Sequence, residues 1–128
     1  MNRDAEAAFQ EGTRLEQEGD VPAAVANFRR AVELDDTDAR YWVNLGAALS
    51  KLRHWPQAVE ALTRGVALKP HYTEADARLF LAEALKSNGS ARLAREQLEI
   101  VASMEPSYPS YGEPIEEAKR QLAAMSAP

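Results

Sequence analysis

The sequence predicts an all-α fold of stacked antiparallel helix pairs, and three observations carry that prediction. First, the chain repeats itself: GDVPAAVANFRRAVELDD, residues 19–36, aligns with RHWPQAVEALTRGVALKP, residues 53–70, so that Pro22 pairs with Pro56, 34 residues on, and Val25, Arg30, Val32 and Leu34 pair with Val59, Arg64, Val66 and Leu68. Repetition at a period of that length marks a repeat architecture. Second, bulky and small residues return every third or fourth position: Trp42, Leu45, Gly46 and Leu49 stand at i, i+3, i+4 and i+7, which is one face of a helix. Third, a composition of 45% hydrophobic and 27% charged residues over 128 positions supports a buried core and separates the chain from disordered sequences.

The elements follow in order. A first helix is expected over 3–18, with Gly12 and Leu15 in the places that Gly46 and Leu49 take one period later. Gly19-Asp20 is the turn, a glycine near the end of one helix and a capping side chain at the start of the next. The second helix, 22–34, opens on Pro22, whose missing N–H does no harm in a first turn. The third, 38–52, carries Gly46; a glycine inside a helix costs about 1 kcal/mol relative to alanine, so its presence implies a close visitor. Arg53-His54 turns into the fourth helix, 56–68, and Pro70 closes the unit.

A third copy begins two residues late. Ala58 pairs with Ala94, 36 residues on, Leu62 with Leu98 and Pro70 with Pro106, while Leu45, Ala48 and Leu49 pair with Leu81, Ala84 and Leu85; the two additional residues fall near 71–74. Its helices are expected over 74–88 and 91–104, joined by Gly89-Ser90. Gly12, Gly46 and Ala82 then leave room for the second helix of each pair, Ala24, Ala58 and Ala94 supply matching small contacts, and Trp42, Leu45, Leu49, Phe28, Leu62 and Leu98 fill the space around the crossing. One pair cannot cover its own apolar face, so neighbouring pairs must stack.

After Pro106, the segment SYPSYGEP blocks helix. Beyond it Ile115, Ala118, Leu122 and Met125 form an apolar stripe among charged neighbours. A helix over 113–126 that caps the last unit with a wet outer face is expected, the alternative being a mobile helix that docks on a partner or on a second copy.

The period, together with Trp42, Leu45, Gly46, Leu49, Ala58, Leu62, Gly65 and Pro70, resembles the tetratricopeptide repeat (TPR), whose pattern is W-x2-L-G-x2-Y, then A-x3-F, a small residue and P. Three repeats are expected, 5–38, 39–72 and 75–108, within a single domain spanning 1–128; Glu11, Asp36 and Arg78 depart from the pattern at single positions. The resemblance implies a TPR-type α-solenoid.

Several functions are excluded or disfavoured by the residues present. A net charge of -5 argues against nucleic acid, whose phosphates call for a clustered basic surface. The absence of cysteine excludes disulfide frameworks, thiolate zinc sites and cysteine nucleophiles. His54 and His71 fall in turns with no metal-ligand spacing, Ser50 and His54 lack a nucleophile turn, and GDVPAA lacks the lysine of a phosphate loop. No catalysis, metal or cofactor is expected. Glu16/Asp20, Glu96/Glu99 and Arg92/Arg95 read as solvated helix faces, and without a signal-like or membrane-length apolar run the chain reads as cytoplasmic and off the membrane.

In TPR-like arrays the first helix of each unit lines a concave groove that receives a peptide or helix. The resemblance therefore implies a groove built from Glu6, Phe9, Thr13 and Glu16, then Arg40, Val43, Asn44, Ala47 and Lys51, then Asp76, Leu79, Phe80, Glu83 and Lys86. Among these, Val43 and Leu79 serve equally well as packing between neighbouring helices. The clamp by which one TPR sub-class grips a C-terminal carboxylate maps onto Phe9, Thr13, Asn44, Asp76 and Phe80; Asn44 alone matches, and Asp76 would repel a carboxylate. Glu6, Glu16, Asp76 and Glu83 around an apolar floor imply a partner with apolar anchors and some basic character, tempered by Arg40, Lys51 and Lys86. The expected role is an adaptor or co-chaperone; the alternative is a scaffold that self-associates through the groove and the C-terminal helix.

Overall fold

The computed structural model describes residues 2–126 and contains seven α-helices there: α1 (Arg3–Gln17), α2 (Val21–Leu34), α3 (Ala39–Lys51), α4 (Trp55–Ala67), α5 (Glu74–Ser87), α6 (Ala91–Ala102) and α7 (Gly112–Ser126), the last preceded by one 3-10 turn, Pro109–Tyr111. Each helix packs on the next in sequence, and α3 also touches α5 and α5 touches α7. The chain is thus an all-α solenoid of antiparallel pairs, with α7 standing where the first helix of a fourth pair would stand.

Local chemistry sets these boundaries. The Asn2 side chain accepts from the Ala5 N–H and donates to the Leu34 carbonyl at 3.1 Å, which caps α1 and ties it to the end of α2. Asp20 caps α2 through the Ala23 N–H. Ser90, at the N-cap of α6, makes no such side-chain bond; the left-handed Gly89 (φ +87) instead lets the Ser90 N–H reach the Leu85 carbonyl at 2.8 Å. Gly19 takes the same conformation, and so does Arg53 at φ 60, although an L side chain is strained there.

The crossings differ from the sequence expectation in an instructive way. A Cβ added at Gly46 would lie 2.7 Å from Cδ2 of Leu62 and closer still to its Cγ; one at Gly12 would lie 2.6 Å from the Phe28 ring. Both glycines make room for one bulky side chain of the partner helix. The close approach of helix to backbone lies at Gly65, where a Cβ would meet the Val43 nitrogen at 3.2 Å and Trp42 Cβ at 3.3 Å. Trp42 itself is half-buried and fills less of the core than expected: its indole N–H is held by the Asp36 carbonyl at 2.9 Å, and Arg64 stacks 5.1 Å above the ring. Fully buried instead are its neighbour Tyr41 and, on α2, Phe28.

Residues 71–73 form a turn that is tied down from afar. Ser110 Oγ donates to the Tyr72 carbonyl, Tyr111 Oη donates to the His71 carbonyl, and the rings of Tyr72, Tyr108 and Tyr111 follow edge to face at 4.7 and 5.2 Å. This cluster fixes the start of α7, which then buries Pro114, Ile115 and Ala118. Among the described residues no helix is long and apolar enough to cross a membrane.

Candidate functional site

The first helices of the pairs lie side by side, and a cleft of about 630 Å³ opens between α3 and α5, with Glu16 of α1 at its edge. Val43, Ala47 and Ala77 form its floor, and Phe80 forms a wall with 41% of its surface exposed. Nine of the fourteen groove residues named from the sequence line it: Arg40, Val43, Asn44, Ala47, Lys51, Asp76, Phe80 and Glu83, with Glu16 at the edge. Leu79 lies outside it, bordering a second hollow of about 570 Å³ between α5 and α7 while packing against the core.

Glu6, Phe9 and Thr13 do not line the cleft, because the junction of α1 with α3 is closed by their own contacts. The Arg40 guanidinium donates to Glu6 at 2.7 Å and to Asp38 at 2.8 Å, and stacks 5.0 Å over the Phe9 ring. Phe9 in turn packs on Tyr41 and Phe28 at 5.1 and 5.8 Å. The buried Tyr41 hydroxyl needs a partner and donates to Glu6 at 2.8 Å. Thr13 bonds back to the Phe9 carbonyl. These bonds have electrostatic consequences. The Arg40 and Tyr41 bonds hold the Glu6 carboxyl below its usual range, while burial first and Glu6 second push the Tyr41 phenol up to about 12.

Lys51 neutralises Glu16 at 3.1 Å. Asn44 spends one amide N–H on the Arg40 carbonyl at 2.8 Å, and its side-chain oxygen accepts no hydrogen bond among the described residues. The acidic rim expected from four carboxylates therefore reduces to Asp76 and Glu83, which have no ion pair or hydrogen-bond partner among the described residues; burial raises the Asp76 pKa above its ordinary value. Sequence reasoning missed Tyr41, although Tyr41, Leu45 and Ala48 stand at i, i+4 and i+7 and all three are buried. No group of three or more His, Asp or Glu side chains suited to a metal ion occurs among the described residues.

Residues 12–52 match the family described as TPR repeat. Over 94% of its length the chain also superposes on 90% of PcrH, solved in complex with the chaperone binding region of PopD, with a TM-score of 0.85 and 23% identity. The chain belongs to the tetratricopeptide-repeat family. This TPR chain is similar, too, to the type III secretion chaperone SycD of Yersinia enterocolitica in complex with a peptide of the translocator YopD (TM-score 0.83, 21% identity, 94% of this chain and 90% of that one). It resembles the first TPR of Spaghetti (RPAP3) bound to an HSP90 peptide (TM-score 0.76, 17% identity, 96% of each chain). An uncharacterized Methanocaldococcus jannaschii protein is 33% identical over 69 residues, 54% of this chain and 80% of that one. The TPR fold is a protein-interaction scaffold.

Proposed function

We propose that this TPR chain is a non-catalytic adaptor or co-chaperone that holds an extended or helical segment of a partner polypeptide in the cleft between α3 and α5. The observation that carries this reading is Phe80, a large apolar side chain left 41% exposed on the wall of a cleft floored by Val43, Ala47 and Ala77. Covering a phenyl group of that exposure contributes roughly 1–2 kcal/mol, so the ring is an anchor that the isolated chain leaves unused. The similar structures of PcrH, SycD and Spaghetti (RPAP3), each solved with a peptide or binding region of another protein, support a peptide as the occupant. The open side-chain oxygen of Asn44 offers an acceptor to a peptide N–H.

The test is affinity capture followed by measurement on variants at a concentration where light scattering reports the monomer mass. The partner captured by the unaltered chain should bind Phe80→Glu about tenfold more weakly, which corresponds to roughly 1.4 kcal/mol. Asn44→Ala should cost a smaller factor. Both variants should keep their helicity and melting temperature, since Phe80 is exposed and Asn44 bonds only within its own helix. A partner that binds both variants with unchanged affinity would place recognition elsewhere on the molecule.

A further inference from the structure

The two hollows on the inner face share three residues, Asp76, Phe80 and Glu83. These stand at i, i+4 and i+7 of α5, so they form one ridge between the α3 side and the α7 side. A segment lying along the groove from one hollow to the other must cross that ridge. It would meet an apolar ring flanked by two carboxylates with no cation on either among the described residues. The charges around the ridge are already spoken for: Arg40 is bound to Glu6 and Asp38, Lys51 to Glu16, and Glu117 of α7 to Arg120. Lys86 borders the second hollow and not the first, and on the α3 side the two lining cations, Arg40 and Lys51, are engaged by Glu6, Asp38 and Glu16 and not by the two carboxylates of the ridge.

Resting on the peptide-binding reading above, we infer that the α5 ridge selects segments in which a lysine or arginine lies beside an apolar anchor, the anchor covering Phe80 and the cation lying between Asp76 and Glu83 on the α3 side. Asp76 is partly desolvated and has no counter-charge, so a ligand cation there replaces lost hydration with an ion pair. A ligand carboxylate at the same place meets two like charges. The selectivity thus belongs to one end of the groove, because the α1 end is closed by its own ion pairs.

An oriented peptide library tests this: immobilised ten-residue peptides with one fixed leucine or phenylalanine, the other positions varied, and Lys/Arg, Glu/Asp and Gln compared at each position next to the anchor. The unaltered chain should enrich Lys/Arg within a few residues of the anchor, and the chosen basic peptide should bind about tenfold more weakly to Asp76→Asn/Glu83→Gln, whose apolar requirement persists. Binding of the basic peptide should also weaken with added salt. Peptides that bind in a Phe80-dependent way with no preference for Lys/Arg, or with a preference that survives Asp76→Asn/Glu83→Gln, overturn the charge selection and leave the cleft reading standing. Library binding that is indifferent to Phe80→Glu overturns both.

Discussion

Gly46→Ala sets two known effects against each other inside a single crossing. Alanine is a better helix former than glycine by about 1 kcal/mol, and on a free helix the substitution would stabilise. Here the new methyl would fall 2.7 Å from Cδ2 of Leu62 and nearer still to Cγ, the branch atom of a side chain with no exposed surface. A Cγ cannot swing aside as a terminal methyl can, so either Leu62 leaves its rotamer or α4 shifts. Overpacking of that kind costs about 1–3 kcal/mol. The net expectation is destabilisation of about 1 kcal/mol, a fall in melting temperature of roughly 3–6 °C for a domain of this size. A double-mutant cycle isolates the cause. Leu62→Ala alone should cost about 2–5 kcal/mol through lost burial and a cavity. In that background the Cβ at position 46 has space, so Gly46→Ala should change sign and stabilise by up to about 1 kcal/mol. Urea unfolding followed by circular dichroism reads all four corners. A Gly46→Ala variant that melts higher than the parent would show that the glycine does not exist to admit Leu62.

Arg53→Gly should raise stability by about 1 kcal/mol in the same unfolding assay, because φ 60 strains an L residue and the matching positions in the other two pairs already hold Gly19 and Gly89. The Glu6 carboxyl is held below its ordinary 4.5 by Arg40 and then Tyr41, so it adds stability that is complete above about pH 4.5 and is lost as pH falls through the lowered folded value; melting curves from pH 6 to pH 3 should fall less steeply for Glu6→Gln than for the parent. Tyr111→Phe removes the bond to the His71 carbonyl and should cost about 1 kcal/mol, with hydrogen exchange rising first in 71–73 and at the start of α7.

Which parts of this were legible depended on whether the signal was local or periodic. Helix ends fell within two residues of expectation because Pro22, Pro56, Gly19 and Gly89 punctuate the chain by their own backbone chemistry. The tyrosine cluster was not read from the sequence, although Tyr72 and Tyr108 stand 36 residues apart, the offset that also pairs Pro70 with Pro106; their contact forms only after α5 and α6 have packed. The cleft lies where two additional residues interrupt the period, and nine of the fourteen residues named for the groove line it. What was missed is the pairing between them. Glu6 and Arg40 are 34 residues apart and Glu16 and Lys51 are 35, so carboxylate and cation on successive first helices meet side by side, a spacing that the repeat makes readable in principle.

That same column of the repeat accounts for the asymmetry of the groove. Glu6, Arg40 and Asp76 occupy equivalent places on α1, α3 and α5, and Arg40 has a carboxylate on either side. It is bound on the α1 side, where Asp38 and the Phe9 and Tyr41 rings hold the guanidinium plane against Glu6. A planar fork fixed by several partners is not free to serve another acid. Asp76 is therefore left at the wall of the cleft without a cation among the described residues, and the turn at 71–73, fastened by Tyr111 and Ser110, stands at the start of the helix that carries it. The groove is closed where the repeat is regular and open, with free negative charge, where the period slips.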